Sequence, residues 1–556
     1  MAKVRQTGTT NELSVHTLLR SLGYRFRVKA KELPGTPDIV NRAGKWAIFV
    51  HGCFWHAHDC HLWTLPKGNR HFWRKKFAAN KQRDKMKLRE LRGKGYSVLT
   101  LWQCELRNET KTRRKLQSFL GATKGRSPNI VSVAEPNPEP ITVDLSFQFD
   151  EKRQRVSRTA TTRDGKSFET RFDVPASIST KQDARSMYDQ VFLRSKTPAW
   201  HSPLRGTIRT ADLFSGCGGL SLGAREACTA LGKQFKSVLA IDEDSPSLEV
   251  YKRNFTPKQA INLDIWSVLS GEIGARLQRE EKALLKKIGA VDICLAGPPC
   301  QGHSDLNNHT RRKDKRNKLY ERVARFAEVA EPSHLIIENV PTVIHGKDRA
   351  LDNTIARLEK LGYKVETNVV NLADLGVPQR RKRDVLIASG KRLSIEDVVN
   401  QHRVSTGRTI RWAIADLARK PPVGLLDTPS ALHPENVRRI NYLMKHGEFD
   451  LPNRLRPICH QDDHSYVSMY GRLQYDEPAQ TITSGFGSPG QGRYVHPTRG
   501  RTLIPHEAAR LQFFPDSFDF SSVKLRTALA NMIANAVPIL LAYVFCLELI
   551  TNAHFL

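Results

Sequence analysis

The chain has 556 residues, and at about 100 to 200 residues per domain that length predicts three to four folding units. Lys and Arg number 88 against 56 Asp and Glu, so the net charge of +32 indicates a polyanionic partner. The longest apolar run, residues 537–547, is broken by Pro538 and is shorter than the ~20 residues of a membrane span, so no membrane association is expected. Nine cysteines, and an N-terminus without an apolar stretch, predict a cytosolic protein with reduced thiols.

Residues from about 11 to 120 have the pattern of a small α/β unit. Apolar residues recur at helical spacing from Leu13, the strand-like WAIFV ends at Val50, and the strand SVLTLW follows a helix predicted from Phe72 to Leu91. Residues 121–203 have mixed charges and few branched apolar residues. That composition predicts a tether with one hairpin around ITVDLSFQF.

After Thr207, short apolar runs alternate with segments of helix length. The runs are IRTADLF, SVLAID, VDICLAG, HLIIENV and DVLIAS, and their alternation with helices predicts a doubly wound, mostly parallel sheet. The alternation fails at about 391–480, which predicts an inserted second lobe, and helix patterns resume at Pro505. We therefore expect domains at 1–122 and 206–556, with a linker at 123–205.

Two strand ends in this second half carry the signs of a nucleotide-type ligand. The turn DLFSGCGGLSLG follows a strand and opens a helix, where glycines allow the backbone to approach a ligand, although a merely tight turn has the same appearance. About 30 residues later, AIDED places Asp242 at the end of the next strand, where its carboxylate can accept hydrogen bonds from ribose hydroxyls. Together they predict a site for an adenosine-type cofactor.

Two further strand ends carry reactive groups. AGPPCQGHS places Cys300 in a rigid Pro-Pro turn that exposes its sulfur, and IENV places Glu338 at the same edge of the sheet. A strand-end glutamate is usually only solvated, but a thiol and a carboxylate at neighbouring strand ends predict a nucleophile and an acid. Most cysteines are small buried hydrophobes, which is the prediction for Cys228, Cys294, Cys459 and Cys546.

These motifs, with VPQRRKR at 377–383 and RTLIPHEAARLQFFPDSF at 501–518, resemble the DNA cytosine-5 methyltransferase family over residues 208–556, apart from the variable lobe. The resemblance implies a Rossmann-like doubly wound α/β fold with a small target-recognition lobe, S-adenosylmethionine as methyl donor and double-stranded DNA as partner. It implies cofactor contacts from Phe214, Gly216, Gly218, Gly219, Asp242, Asp264, Pro299 and Asn535. The catalytic residues that it implies are Cys300 as nucleophile, Glu338 at cytosine N3 and the exocyclic amine, and Arg381 and Arg383 supporting the base.

The chemistry explains these residue types. C5 of cytosine is too poor a nucleophile to take a methyl group unaided, and addition of a thiolate at C6 creates an enamine at C5. The target base must leave the duplex to meet the sulfur. Basic residues after the nucleophile are predicted to clamp phosphates as a closing loop, a solvated charged loop being the alternative; they include Arg311, Arg312 and Lys313. Met532 and Ala534 replace the family's usual glutamine and glycine.

The first half contains a cluster of metal-ligating residue types. Five of them lie in HGCFWHAHDC and LWQCEL: Cys53, His56, His58, Cys60 and Cys104. Three cysteines and two histidines suit zinc, but a closed tetrahedral site needs four ligands, and spacing does not show which histidine is left over. A metal-free cluster is the alternative. Asp38 of LPGTPDIV, at the beginning of a strand, is a candidate for a divalent ion with His56 nearby.

These strings, with NELSVHTLL and NKQRDK, resemble the very short patch repair endonucleases, which nick DNA beside a T:G mismatch, over residues 12–120. The resemblance implies a restriction-endonuclease-like α/β domain with Asp38 as the magnesium ligand and His56 as general base or acid. It assigns supporting roles to Glu12, His51 and Asp84. It also assigns structural zinc to Cys53, His58, Cys60 and Cys104.

The same resemblance makes Phe54, Trp55 and Trp73 wedges that insert beside the mismatch, whereas ordinary core aromatics are the alternative. The helix from Arg74 to Arg92 is strongly basic, which favours a face that follows phosphates. This family commonly has a threonine where the chain has Val50, a departure that bears on cleavage.

Deamination of 5-methylcytosine gives thymine and hence a T:G mismatch, so the two resemblances together predict one chain that methylates DNA and begins repair of the decay product. Two alternatives remain: a restriction–modification fusion that cuts unmodified duplex, and a first domain that is a zinc-stapled DNA-binding module without catalysis. We expect a cytoplasmic, DNA-associated bacterial monomer that contacts mismatch-repair proteins. The target sequence is not readable, because base-edge contacts in the variable lobe follow no code visible in one chain.

Overall fold

The computed structural model describes residues 10–22, 24, 26–28, 30, 33–42, 44–58, 60, 70–107, 109–123, 142–299, 319–345, 350–461 and 468–552. The chain forms two compact units, residues 1–135 and 136–556. Four sequence-predicted site residues lie outside the described residues: Cys300, Arg311, Arg312 and Lys313.

In its described residues, the first unit contains a four-stranded sheet and three α-helices. Its elements are α1 (Thr10–Ser21), β1 (Arg27–Val28), β2 (Ile39–Asn41), β3 (Trp46–His51), α2 (Arg70–Gly93), β4 (Ser97–Trp102) and α3 (Glu109–Thr123). The strand order is β1-β2-β3-β4, and only β3 and β4 are parallel. Successive residues of β3 face opposite sides, so Trp46 and Ile48 join one core while Ala47 and Phe49 join the other. The helix predicted over 72–91 and both predicted strands are present.

The second unit begins with a layer that the sequence prediction missed. Its elements are β5 (Val143–Asp150), β6 (Arg155–Thr162), β7 (Ser167–Asp173), α4 (Ala184–Arg194) and β8 (Trp200–His201). The strands form an antiparallel sheet in the order β5-β6-β7-β8, so the prediction of a tether with one hairpin is wrong for these residues. Only alternate residues of these strands are buried, and the polar residues between them gave the segment its linker-like composition. Val143 and Ala160 join the core of the main sheet.

The main sheet has seven strands in the order β11-β10-β9-β12-β13-β16-β14. Its elements are β9 (Thr207–Leu213), α5 (Gly219–Ala230), β10 (Gln234–Ile241), α6 (Ser245–Phe255), β11 (Ala260–Ile261), α7 (Ile265–Val268), α8 (Arg279–Ile288), β12 (Ile293–Ala296), α9 (Leu319–Ala330), β13 (His334–Asn339), α10 (Ala350–Lys360), β14 (Lys364–Asn371), β15 (Gln379–Arg380) and β16 (Lys382–Ser389). Only β16 runs antiparallel to its neighbours. The predicted doubly wound, mostly parallel sheet is confirmed, and the ends of β9, β10, β12 and β13 lie along one edge.

The alternation of strands and helices stops after β16, as the sequence predicts. The remaining elements are α11 (Ile395–Gln401), α12 (Ile410–Ile414), α13 (Gly424–Asp427), α14 (Pro434–His446), β17 (Ala479–Gln480), α15 (Pro505–Leu511), α16 (Arg526–Asn535) and α17 (Ile539–Asn552). A separate small core forms within the lobe from Ile440, Leu443, Leu451, Tyr470 and Val495. Helix α17 returns to pack against α5 beside the main sheet.

Burial was predicted for four cysteines of the second unit, and the structure confirms three of these predictions. Cys228, Cys294 and Cys546 are buried, as predicted, but Cys459 is exposed. It lies in a single helical turn of the lobe, Ile458–His460, none of whose side chains is buried, so the general preference of cysteine for the interior does not apply.

In the described part of the chain, no single helix has the length and apolar composition to span a membrane. One pair, Arg526–Asn535 and Ile539–Thr551, satisfies both measures together, but it is bent by 41°. Most residues of α17 within that pair are buried in the core of the second unit.

Candidate functional site

The ends of β3 and β4 in the first unit hold a closed group of sulfur and nitrogen ligands. The Sγ atoms of Cys53, Cys60 and Cys104 and a ring nitrogen of His58 all lie within 4.8 Å of one another. His58 Nδ1 is 3.7 Å from Cys53 Sγ and 3.5 Å from Cys104 Sγ. Tetrahedral zinc, with Zn–S near 2.3 Å and Zn–N near 2.0 Å, places its ligand atoms about 3.5 to 3.8 Å apart. The four residues therefore fit zinc, and the histidine left over is His56.

Local backbone and burial explain how this quartet forms. A turn after β3 carries Cys53, and the His58 N–H closes it by donating to the Cys53 carbonyl at 3.0 Å. Because β4 runs parallel to β3, Cys104 leaves the sheet at the same end. Burial, together with the Cys60 and Cys104 sulfurs, raises the pKa of the Cys53 thiol to about 12. A bound cation would reverse that shift by stabilising the thiolate.

A second polar group in the first unit contains His51, His56 and Asp84, whose ligand atoms also lie within 4.8 Å of one another. His56 Nδ1 is 2.6 Å from Asp84 Oδ2, and the rings of His51 and His56 stack with their centroids 3.8 Å apart. Burial and the neighbouring His56 lower the pKa of His51 to about 4, although Asp84 opposes them. His51 is therefore neutral at pH 7.

The two carboxylates predicted beside these histidines lie on separate elements. Asp38 precedes β2, and its Oδ2 accepts the Val50 N–H at 2.8 Å, which fixes the carboxylate beside the end of β3. Glu12 is buried on α1. Neither carboxylate belongs to the group formed by His51, His56 and Asp84. The structure thus brings together three of the five residues predicted for cleavage and places Asp38 one residue from His51 by way of Val50.

An aromatic cluster lies on the face of α2 that carries Asp84. The Phe54 ring centroid is 5.1 Å from that of Trp55, 5.7 Å from that of Trp73 and 5.6 Å from that of Phe77. Only Phe77 of these four is buried, so the predicted wedges Phe54, Trp55 and Trp73 form a half-exposed surface.

Sequence reasoning missed two polar residues at this cluster. Lys76 Nζ lies 5.5 Å from the Trp73 ring centroid and 6.0 Å from that of Trp55, and Asn80 donates to the Trp55 carbonyl at 3.0 Å. The sequence could have identified them, because positions 73, 76, 80 and 84 fall on one helical face. A lysine and an adjacent amide therefore lie beside the half-exposed rings.

In the second unit, the glycine turn after β9 is shaped by unusual backbone angles. Phe214, Gly216 and Gly218 have φ values of 59°, 50° and 99°. A Cβ at Gly219 would overlap the carbonyl oxygen of Val537, so glycine is required there for the segment after α16 to approach the turn.

Asp242 fastens this turn from the end of the neighbouring strand β10. Its two carboxylate oxygens accept the Gly216 N–H at 2.7 Å and the Asp244 N–H at 2.8 Å. Burial raises the pKa of Asp242, and these two N–H groups oppose the shift. Two other predicted cofactor residues, Asp264 before α7 and Asn535 at the end of α16, are exposed, whereas Phe214 and Pro299 are half-buried.

The ends of β12 and β13 hold the predicted reaction centre. Glu338 is buried, and its Oε1 is 2.5 Å from Arg383 Nε on the antiparallel neighbour β16. Asn339 donates to the Pro298 carbonyl at 3.3 Å, which fixes the turn that leads to Cys300. The strand ends therefore place the carboxylate next to the proline turn, as predicted.

Arg381 and Arg383 take different positions although both were assigned to the base. Arg381 is buried and donates to the carbonyls of Ile482, at 3.2 Å, and Ala534, at 3.1 Å. Gln512, also buried and not identified from the sequence, donates to the carbonyls of Ile533 and Ala534. Arg381 thus connects the end of the lobe with the segment that carries Asn535, while Arg383 contacts Glu338.

Comparisons with known proteins give two separate matches. The family model of C-5 cytosine-specific DNA methylase matches residues 208–550, and that of DNA mismatch endonuclease Vsr matches residues 1–62. The chain is 45% identical over 368 residues to Type II methyltransferase M1.BsuMI of Bacillus subtilis strain 168, which covers 66% of this chain and 86% of that protein.

Two proteins of Xanthomonas oryzae pv. oryzae match different parts of the chain. Type II methyltransferase M.XorII is 30% identical over 372 residues, covering 60% of this chain and 82% of that protein. Type II nicking enzyme V.XorIIP is 44% identical over 131 residues, covering 24% of this chain and 88% of that protein. What that organism has as two proteins therefore occurs here in one chain.

Proposed function

Because the chain belongs to the C-5 cytosine-specific DNA methylase family and carries a Vsr-type mismatch endonuclease region ahead of the methylase, we propose that it both methylates cytosine and begins repair of the mismatch that deamination of the methylated base leaves. The second unit methylates cytosine C5 in a specific duplex sequence, and the first nicks DNA at the T:G mismatch that deamination of that base leaves. The observation that supports methylation most directly is the Glu338–Arg383 pair beside the Pro298–Pro299 turn.

The methylation step follows from the residues at the two strand ends. We assign Cys300 as the nucleophile: its thiolate forms a bond to C6 of an extruded cytosine, and the displaced electron pair makes C5 nucleophilic. Glu338, held by Arg383, hydrogen-bonds N3 and the exocyclic amine and stabilises the charge that develops in the ring. S-adenosylmethionine supplies the electrophilic methyl group. Loss of the C5 proton to a base then breaks the C6–S bond and frees the thiolate.

The cofactor site fits S-adenosylmethionine on the side chains present. The glycine turn is open at Gly216, where a Cβ would meet no atom within 4 Å, whereas Gly219 lets Val537 pack closely against the turn. We assign Asp242, fastened to this turn, to the ribose hydroxyls, with Phe214 and Asp264 at the adenine and Asn535 completing the pocket.

For the first unit, we propose hydrolysis of one phosphodiester bond in a restriction-endonuclease-like fold. Asp84 engages Nδ1 of His56, which leaves Nε2 to exchange a proton with the attacking water. Neutral His51 stacks beside it and adds no positive charge. Asp38 is the magnesium ligand, and a magnesium ion there would act as Lewis acid on the scissile phosphate. Glu12 has a supporting role.

Structural zinc and mismatch recognition complete this proposal. Cys53, His58, Cys60 and Cys104 supply all four ligands, so that site has no open position and is not catalytic. The half-exposed rings of Phe54, Trp55 and Trp73 enter the stack beside the mismatch, where pairing is already weak.

Base-resolution detection of 5-methylcytosine in genomic DNA from cells that express the protein tests the methylation proposal and reveals the target sequence. We expect methylation at one short sequence and none with a Cys300→Ser variant. An unchanged signal in that variant would contradict the nucleophile assignment.

Oligonucleotide duplexes with a T:G mismatch at the identified site test the cleavage proposal. We expect magnesium-dependent nicking of one strand and no nicking of the paired duplex. Preference for paired, unmethylated DNA would instead support a restriction enzyme. Mismatch binding with no nicking under any divalent metal would support a DNA-binding module without catalysis.

We further propose that the protein acts in the cytoplasm as a monomer on double-stranded DNA and contacts mismatch-repair proteins. Light scattering of the purified protein, alone and with duplex DNA, measures its mass and tests whether it is monomeric. One chain per duplex is expected, and a dimer on DNA would contradict it.

A further inference from the structure

We infer that Arg322 of α9 is a positioning residue for the adenine side of the cofactor site, acting through Trp266. The inference rests on the cofactor site proposed above. The guanidinium carbon of Arg322 lies 4.0 Å from the Trp266 ring centroid. Its NH1 donates to the carbonyls of Leu269, at 2.9 Å, and Gly271, at 2.8 Å. One side chain from another helix therefore holds three points of the loop 264–271.

Packing alone does not explain why position 322 has an arginine. Arg322 is 1% exposed, and in the described part of the chain no carboxylate pairs with it. Arg325, one turn later, is equally buried but pairs with Glu281 and Glu328. Burial accordingly lowers the pKa of Arg322. A buried charge without an ion pair is unfavourable, and an apolar side chain would cover the indole at lower cost, so the guanidinium is explained by the carbonyls that it binds.

The loop needs such an anchor because its leading residues have little packing of their own. Asn262, Leu263 and Asp264 are all exposed. The Trp266 N–H donates to Asp264 Oδ1 at 3.0 Å, so Trp266 fixes the carboxylate through its backbone while Arg322 fixes Trp266 through its ring. Arg322 thereby sets the position of Asp264 without touching the cofactor.

This arrangement predicts an effect on cofactor binding that is separate from the methyl-transfer step. Asp264 follows β11, whereas Glu338 ends β13 on the other side of β9 and β12. Loss of Arg322 should therefore loosen the adenine side and leave the reaction centre in place. KM for S-adenosylmethionine should rise while kcat at saturating cofactor is retained.

Calorimetric titration of full-length Arg322→Met with S-adenosylhomocysteine, in the absence of DNA, tests the inference. We expect affinity to fall roughly tenfold and KM for S-adenosylmethionine to rise similarly, with kcat within about twofold. Arg322→Lys, which retains donors for the two carbonyls, should recover part of the affinity. Arg439→Met is the matched control, because Arg439 stacks on Tyr470 and donates to the Leu455 carbonyl within the lobe. It should leave this affinity unchanged.

Three outcomes would overturn the inference: unchanged affinity in Arg322→Met, a fall in kcat without a change in KM, or an equal loss of affinity in Arg439→Met. If Arg322→Met does not fold, Trp266→Leu removes the stacked ring instead and should weaken binding in the same way. Asp242→Ala and Asp264→Ala distinguish an error in the proposed cofactor site from an error in the role of Arg322. If both bind S-adenosylhomocysteine normally, the proposed cofactor site is wrong; if both lose affinity while Arg322→Met does not, only the role of Arg322 is wrong.

Discussion

The Cys/His quartet of the first unit and the proposed cofactor site of the second are assembled over very different lengths of chain. Three of the four quartet ligands lie between Cys53 and Cys60, and one parallel strand pairing brings Cys104 to them. The cofactor edge joins positions from Phe214 to Asn535 and depends on the order of seven strands. A change in the first unit should therefore act close to where it is made, whereas the second unit transmits packing changes across its sheet.

The strongest test of this contrast removes the reaction centre of the second unit. Cys300→Ser should abolish methylation, and Glu338→Gln, which loses the ion pair to Arg383, should lower its rate about 10²- to 10⁴-fold. Nicking of a T:G duplex should remain at the wild-type rate. The two rates are measured by methyl incorporation and by gel analysis of labelled strands, and a parallel loss of nicking would show that the units do not work independently.

The reciprocal change removes the proton-transfer group of the first unit. His56→Ala should lower the nicking rate about 10²- to 10⁴-fold and leave methylation intact. Asp84→Asn keeps the hydrogen-bonding shape but removes the charge that orients His56, so its effect should be smaller. Binding of the mismatched duplex, measured by fluorescence anisotropy, serves as the control and should be retained in both variants. If His56→Ala nicks normally, the assigned base is wrong.

Loss of the proposed zinc should unfold one unit and spare the other. Structural zinc contributes about 10 to 16 kcal/mol of apparent binding energy in small zinc domains, so Cys104→Ser should release the ion and disorder the end of β3. We expect one zinc per wild-type chain by plasma mass spectrometry and none in the variant. Hydrogen exchange should increase in peptides from 46–102 and not in peptides from 207–241. Retained zinc in Cys104→Ser would contradict the quartet.

The smallest expected effect is that of acid, which should weaken each unit through a buried histidine. His51 has a folded-state pKa of about 4, below its ordinary 6.5, so the unfolded chain takes up its proton first and the first unit loses about 2 kcal/mol between pH 7 and pH 5. In the second unit, burial likewise lowers the pKa of His334 to about 4, although Asp292 opposes the shift. By the same linkage, the second unit loses a contribution of similar size over the same pH range.

Hydrogen exchange at pH 7 and pH 5, corrected for the intrinsic rate, measures this effect in each unit. Both units should become less protected at pH 5, and His51→Phe should reduce that change in the first unit only. An unchanged loss of protection in the first unit of His51→Phe would show that His51 does not control its acid response.

The parts of the molecule that the sequence predicted are those with strong local patterns. Runs with an apolar centre, such as HLIIENV, became buried strands, and the motif glycines and Asp242 came together because adjacent parallel strands end at one edge. The layer of β5 to β8 was missed because its strands bury only every second residue, and Arg158 occupies one of those interior positions. Composition alone cannot distinguish such strands from a linker.

Side-chain roles that depend on tertiary contacts were harder to predict. Arg381 and Arg383 are two residues apart in a strongly basic motif, yet one is buried against backbone carbonyls and the other contacts Glu338. Spacing left open whether His56 or His58 joins the cysteines, and the turn after β3 places His58 beside them. Lys76 and Asn80 gained significance only when the helical face that they share with Trp73 was placed against the rings.

The packing of α17 against α5 has a consequence for synthesis on the ribosome. Domains fold largely in the order in which they emerge, and α5 leaves the exit tunnel long before the helix that covers it. The first unit is complete by then, so a nascent chain holds the nicking region in folded form while the methylating region still exposes part of its interior. A message cut short before α17 would yield a product with an uncovered apolar helix, which proteases and chaperones recognise.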